Sequence, residues 1–444
     1  MKTLHLSQWT IEVNDKYGGF SVMTRQDHIC IHKEITAKFY KEVNISELCV
    51  HERYESHFKL ARRIAGVEGD PDVARLINRS LTVDRATFTA WLRTTCKSHK
   101  EPGRISHRNL HTCPTYAFKG LSTWGARQIQ SILCKHPHIL RNSADFVQKI
   151  SLIPAESHHY FVKLDLKDFY MSGSCMDLTK DVVGIFPRGP RKSIIEACVI
   201  FLLDSQFIQS KVIPGLFKVE TGTGMGLIAS GDLADAAFYH RVEAPFATAA
   251  HIHDLYGIIA YFRFKDDIFI IGSVRSNTRE FIWEMQRRAG YFTIELDTIN
   301  STQIRYVELL VTKDVLSQRF LVTPTWKPTS LGIPLCTTST HPFSTHRSWP
   351  ISMIKRLGPI SSTRDGALGA KRVLVDRFRA FFAPSALVDM LESTTPSSKQ
   401  KSSFVSIPRE GHVKWFLWGY HPATCGIVVS AFKEFFEVCQ RQTH

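Results

Sequence analysis

Two stretches, YFVKLDLKDFYMS (160–172) and GIIAYFRFKDDIFIIGSV (257–274), decide the reading of this chain. In the first, Phe161, Lys163 and Asp165 fall on one side of a strand and Val162, Leu164 and Leu166 on the other, which leaves Asp165 at the strand's end, facing away from the aliphatic layer. The second reads as two apolar strands joined at Lys265-Asp266-Asp267, a hairpin with adjacent carboxylates at its tip. Like charges a few ångströms apart repel, and both acids titrate high unless cations lie between them. If the Asp165 strand lies beside the hairpin, three carboxylates meet at one point, a geometry suited to divalent metal and two-metal phosphoryl transfer. The alternative is a plain turn, because Asp tolerates turn conformations well.

Between the two stretches lies GTGMGLIASGDLADAAFYHRVE (222–243). Its glycines 222, 224 and 226 allow close backbone approach, and the helix expected after them carries Leu233, Ala234, Ala237 and Phe238 on one face. The element lacks the Lys-Ser/Thr of a Walker phosphate loop and, taken alone, is equally a helix lead-in.

The rest of the chain sets the frame. Its 444 residues, 43% hydrophobic, are enough for one large multi-lobed core or two to three domains, which excludes a disordered tail. With 56 Lys and Arg against 41 Asp and Glu, the net charge of +15 favours a polyanionic partner, nucleic acid being the commonest and an anionic membrane surface the alternative. Between Val315 and Ala380, ten basic residues face two acids, a stretch able to hold several phosphates. The ten cysteines contain no C-x-x-C pair and read as buried small hydrophobes in a reducing compartment. No apolar run reaches the roughly 18 residues of a membrane span, and the start has no sustained apolar core, so an intracellular protein without membrane contact is expected. From 160 to 300 apolar strands alternate with helices, indicating an α/β core; VELLV and RFLVTPTW add strands after Tyr306, and STTPSSKQKSS (393–403) reads as a mobile loop.

In order and spacing, LDLKDFY (164–170), GTGMGLIAS (222–230) and FKDDIF (264–269) resemble motifs A, B and C of reverse transcriptases. Further segments resemble the Penelope-like retroelement branch: DKYGGFSVM (15–23) its Asp-Lys-Gly segment, CKSHKEPGR (96–104) with CPTYAFKGLS (113–122) its fingers motif, and IRYVELLVTKD (304–314), TPTWKPTS (323–330), THP (340–342) and GYHP (419–422) its primer grip and thumb. The resemblance spans nearly the whole chain. It implies an α/β (α+β) right-hand polymerase fold: an N-terminal region over 1–85, fingers over 86–155, a palm of antiparallel sheet and helices over 156–305, and primer grip with helical thumb over 306–444.

By the same resemblance, Asp165 and Asp266 would hold two Mg²⁺ or Mn²⁺ ions, with Asp267 a weaker third carboxylate. Tyr170 would lie under the sugar and reject a 2′-hydroxyl. Lys97, Lys100 and Arg104, with Arg108 the rival of Arg104 in register, would meet the triphosphate beside Gly224, Met225 and Gly226. Lys327, Arg347, Lys355 and Arg356 would contact nucleic-acid phosphates. The implied partners are an RNA template, a DNA primer or duplex and dNTPs, and the implied residence is nuclear. The chain departs from the family where Leu227 and Ile228 replace Ser-Pro after Gly226, where the usual upstream Gln is replaced near Val219, where Phe264 stands for Tyr, and where Lys265 occupies a position usually small or apolar. A lysine there is expected either to compete with a metal or to turn towards the primer backbone. No segment resembles a GIY-YIG endonuclease. A telomerase-like or maturase-like enzyme shares the same centre, and the alternative to an active polymerase is a catalytically weakened, reverse-transcriptase-derived nucleic-acid-binding protein.

Overall fold

The computed structural model describes residues 8–13, 20–44, 50–82, 87–97, 107–326, 342–381 and 383–397. Lys100, Arg104 and Lys327 lie outside the described residues, as do most of the Asp-Lys-Gly segment and the GYHP landmark. The chain divides into two compact units, Met1–Phe320 and Leu321–His444.

The first unit opens with a hairpin, β1 (Trp9–Val13) and β2 (Phe20–Thr24), then α1 (Arg25–Phe39), β3 (Tyr40–Val43), α2 (Val50–Glu68) and α3 (Pro71–Asn78). Next come β4 (Thr89–Cys96), β5 (His107–Thr112), α4 (Lys119–Leu133), α5 (Ser143–Ile150), β6 (Tyr160–Lys167), α6 (Cys175–Gly184), α7 (Pro190–Asp204), β7 (Phe207–Ser210) and β8 (Leu216–Val219). A five-stranded sheet runs in the order β3-β8-β7-β4-β5, antiparallel except for the β4–β7 pair. After the glycine-rich loop follow α8 (Ser230–Phe238), a π-helical segment Tyr239–Ala247, α9 (Ala250–Tyr256), β9 (Ile258–Phe264), β10 (Asp267–Gly272), α10 (Arg275–Arg288), β11 (Thr293–Asn300) and the hairpin strands β12 (Gln303–Tyr306) and β13 (Leu309–Asp314).

The central sheet is antiparallel, in the order β11-β6-β10-β9, so the two deciding stretches are neighbours in it. β-branched and aromatic residues dominate these strands, as a pleated buried surface favours. The alternation in β6 sorts two cores. Val162, Leu164 and Leu166 pack with Ile268 and Ile270 against helices carrying Leu121, Ile129, Val182, Leu233 and Phe281. On the opposite face Phe161 and Phe269 meet Phe146, Tyr306 and Phe320, with ring centroids 5.0–5.8 Å apart. Ile268 through Ile271 are fully buried, each contributing roughly 1.5–3 kcal/mol from removal of its side chain from water. Both faces of the two central strands are thus covered below Asp165 and Asp267, whereas the edge strand β11 is largely exposed and polar.

β14 (Arg319–Pro324) carries the chain into the second unit, where α11 (Phe343–Leu357), α12 (Arg364–Ala380) and α13 (Ser385–Ser393) pack around Ile354, Leu374, Phe378 and Leu391. One expectation is corrected. Of the described cysteines only Cys96 and Cys198 are buried, whereas Cys30, on α1, and Cys134, at the C-terminus of α4, are exposed. Among the described residues no helix is long and apolar enough to cross a membrane.

Candidate active site

β6 and β10 pair with Asp165 opposite Asp267, so the two acids, a hundred residues apart in sequence, are cross-strand neighbours. Between β9 and β10 the turn is two residues, Lys265-Asp266, and Asp267 is already the first residue of the strand. Such tight hairpins need a positive φ, and Lys265 supplies it at 55°, an uncommon conformation for a residue with a Cβ. Main-chain bonds fix both acids: Leu166 N–H donates to the Asp266 carbonyl at 2.9 Å and the Tyr306 hydroxyl to the Asp267 carbonyl at 3.0 Å.

The electrostatics separate the three carboxylates. Burial, then the negative charges of Asp266 and Asp267, raise the Asp165 pKa from 3.8 to about 6, with Lys163 opposing. Lys163 lies 3.3 Å from Asp267 and 2.8 Å from Asp297, at a bulge in β11. Asp267 is therefore partly neutralised by the protein itself, and Asp165 and Asp266 are the pair a divalent ion could use. Glu156, His158 and His159 gather their ligand atoms within 4.8 Å of one another. Lys313, however, donates to the carbonyls of Ser157 and His159 at 2.7 and 2.6 Å and sets a fixed cation beside that group.

A titration test follows from Asp165. Its folded pKa lies above its unfolded one, so the ionised carboxyl opposes folding above pH 6, and the opposition fades as pH falls through 6 towards 3.8. Asp165→Asn is expected to stabilise the metal-free protein at pH 8 by about 1–2 kcal/mol after allowance for solvent screening, and to do little at pH 4. Urea unfolding in EDTA at both pH values checks this; destabilisation at pH 8 contradicts it.

Beyond β6, Asp168 takes φ 48° and turns the chain into a short 3-10 segment, Phe169–Met171, while its carboxylate pairs with Lys38 at 2.9 Å. This turn seats Tyr170 against the glycine-rich loop: Thr223 N–H donates to the Tyr170 carbonyl at 2.7 Å, and a Cβ at Gly222 would lie 2.3 Å from that oxygen. Burial and the charges of Asp235 and Asp266 push the Tyr170 hydroxyl up to about 12, with the Arg108 charge opposing. Tyr170 thus sits in the field of both Asp266 and Arg108, a β5 residue.

The glycines of the loop are required by what they touch. Gly224 (φ 68°) faces the buried His111 ring, where a Cβ would come within 2.4 Å of Nδ1, and Gly226 (φ 115°) faces the His111 carbonyl. His111 N–H donates to the Met225 carbonyl at 2.7 Å and its ring bonds the Tyr40 hydroxyl at 2.8 Å, so the five-stranded sheet clamps the loop. Lys97, half-buried, directly follows β4 of that sheet. Arg347, Lys355 and Arg356 are exposed on α11 of the second unit.

The Lys265 ammonium binds Asp235 of α8, with its side chain partly exposed. Beneath it Arg263, fully buried, donates to Asp235 at 2.6 Å, to both Glu243 oxygens at 2.7 and 2.9 Å, and to the Lys265 carbonyl at 3.1 Å. The π-helical segment turns Glu243 inward, where burial opposes its ionisation, but Arg263 and His138 hold its pKa at about 2. Sequence reasoning missed Arg263, Asp235, Glu243 and His111. A lone arginine in the apolar run GIIAYFRF was the available signal, because a buried cation needs buried acids.

No family model matches the chain, and no curated protein matches it. Among solved structures it is similar to telomerase from Candida albicans in complex with a TWJ fragment of telomeric RNA, at 11% identity and TM-score 0.52 over 86% of this chain and 64% of that one. Apo telomerase from Candida tropicalis gives 11% and 0.47 over 88% and 66%, and the RNA-dependent RNA polymerase of a human picobirnavirus 9% and 0.49 over 84% and 76%. The chain therefore spans 64% of the length of the Candida albicans telomerase chain. At such identities the likeness is one of architecture, and the architecture of this α/β chain is the right-hand polymerase fold.

Proposed function

We propose that this chain is a template-directed nucleotidyltransferase, an RNA-directed DNA polymerase that extends a primer 3′-hydroxyl with dNTPs. The observation that carries the reading is the register of Asp165 against the Asp266-Asp267 hairpin, with Tyr170 and the clamped glycine loop beside it. In this reading Asp165 and Asp266 hold Mg²⁺ or Mn²⁺, which when bound would activate the attacking hydroxyl and steady the leaving pyrophosphate. Their like charges fit that donor set, because a cation between them relieves the repulsion that lifts Asp165. Lys163 restrains Asp267 from competing as a ligand. Lys97, Lys100 and Arg104, or Arg108 in the place of Arg104, meet the triphosphate, where fixed positive charge offsets charge developing in the transition state. Gly224, Met225 and Gly226 let backbone approach the nucleotide, and the second unit, with Lys327, Arg347, Lys355 and Arg356, grips the duplex through phosphates rather than bases.

The ordered motifs support a Penelope-like reverse transcriptase with nuclear residence. The weakened-protein alternative leans on Lys265 and on the altered glycine-rich element, and the pairing of that lysine with Asp235 speaks against the first of these. The test is primer extension with Mg²⁺ on RNA and DNA templates: extension on RNA with dNTPs is expected, and incorporation of ribonucleotides alone assigns the chain to RNA synthesis instead. The half-buried Tyr170 ring gives a second expected result in the same assay. Tyr170→Val opens room for a 2′-oxygen, so discrimination against ribonucleotides should fall by roughly tenfold to a hundredfold. Unchanged discrimination removes Tyr170 from the sugar site.

A further inference from the structure

The hydrogen bond between the Tyr40 hydroxyl and His111 Nε2, at 2.8 Å, joins the two edge strands of the five-stranded sheet, β3 and β5. Both residues are buried, and Asn109, two residues before His111 on β5, is a second partner of that hydroxyl. Burial brings the His111 ring down to about 4, so the ring is neutral and has one acceptor and one donor nitrogen to place. With Nε2 turned to Tyr40, Nδ1 and Cε1 face Gly224, 2.4 and 2.9 Å from where an added Cβ would stand. Gln206, which donates to the Gly222 carbonyl at 3.4 Å, brings its Oε1 to 2.5 Å from the same point. The ring therefore lies against the loop where the missing side chain leaves room, while the main-chain N–H of His111 holds the Met225 carbonyl at 2.7 Å.

We propose that Tyr40 is a positioning residue of the nucleotide site: by clasping the His111 ring across the sheet, it sets the conformation of the glycine-rich loop on which the incoming nucleotide rests. The inference rests on the proposed function, which places Gly224, Met225 and Gly226 against the nucleotide. Tyr40 lies in the N-terminal region, outside every segment that carries the family resemblance. Its near neighbour Lys38 reaches the Asp168 carboxylate at 2.9 Å, but that pair is exposed and screened by solvent, so the buried tyrosine carries the coupling. Without its hydroxyl, Nε2 is left buried and short of a partner. The ring relieves that cost by turning, and turning moves Nδ1 or Cε1 against Gly224.

The test is steady-state incorporation of a dNTP on an RNA template with Mg²⁺, using the full chain carrying Tyr40→Phe, which removes one oxygen and almost no apolar volume. KM for the dNTP is expected to rise roughly fivefold to tenfold, the worth of one neutral hydrogen bond, with kcat within about twofold of the wild type. Phe217→Leu is the control, because Phe217 packs in the same core cluster as Tyr40 but has no polar group to bond; it should lower stability and leave KM where it was. An unchanged KM in Tyr40→Phe, or an equal rise in Phe217→Leu, overturns the proposal. His111→Gln keeps a polar atom for Tyr40 but takes the ring away from Gly224, so KM should rise by about fivefold or more there too. An unchanged KM in that variant overturns the proposal even if Tyr40→Phe does not fold. Amide exchange over residues 222–230, with no nucleotide present, reads the clasp directly: Tyr40→Phe is expected to speed it about tenfold, and unaltered exchange overturns the proposal. Faster exchange in Tyr40→Phe together with a wild type that incorporates no nucleotide upholds the clasp but overturns the proposed function, and with it the nucleotide role of Tyr40.

Discussion

Asp266→Asn is expected to lower primer extension by roughly a thousandfold or more while leaving duplex affinity within about twofold. The substitution removes one charge and almost no volume, and the main-chain bond from Leu166 to the residue 266 carbonyl is untouched, so the hairpin keeps its place. What is lost is the ability of two acids to share a cation. In the proposed function, duplex affinity comes from contacts between basic side chains and phosphates, to which this acid would contribute nothing favourable. A second readout comes with the same variant. After burial, the Asp266 charge is the largest influence raising Asp165, so the Asp165 carboxyl should titrate closer to its ordinary value in the variant. Retained extension would refute the assignment, and an Asp165 titration that does not move would show that the two carboxylates do not share a field.

The centre of the site was legible because strand alternation and apolar strands are local signals. Asp165 had to leave the aliphatic layer, and two apolar runs joined at an acid pair had to make a hairpin. The direction of Lys265 was not legible, because a four-carbon chain on a turn can point several ways and its partner lies thirty residues upstream, on another element. Glu243 was hidden for a related reason. It lies in a helical stretch read at 3.6 residues per turn, yet a π-helical segment containing Pro245 resets the phase and turns it inward. His111 carried no pattern at all. It matters because two positive-φ glycines approach its ring and carbonyl, a tertiary fact that neither the glycines nor the histidine announces. Arg108 was one of two candidates in register, and its charge acts on Tyr170.

Arg263→Met should cost about 3–5 kcal/mol of stability at pH 7, because breaking a buried ion network from one side leaves uncompensated buried charge. The arginine is fully buried and satisfies Asp235, both Glu243 oxygens and the strained Lys265 carbonyl, with its guanidinium 5.2 Å from the centre of the Phe238 ring. Methionine fills part of the volume but supplies none of these bonds. The fully buried Glu243 is then left with the Tyr261 hydroxyl at 3.0 Å and His138 at 3.4 Å. The pH dependence distinguishes lost charge pairing from lost packing. In the wild type Glu243 titrates at about 2, below its unfolded value of 4.5, so its contribution is present above pH 4.5 and is lost as pH falls towards 2. In the variant burial prevails, the folded pKa rises above the unfolded one, and the penalty shrinks as the acid takes up a proton. The stability gap between wild type and variant should therefore narrow from pH 7 to pH 5 in urea unfolding, and Arg263→Met/Glu243→Gln should recover much of the loss at pH 7. A gap that stays constant with pH would show that the cost is packing alone, and that the hairpin bearing Asp266 does not depend on this network's charge.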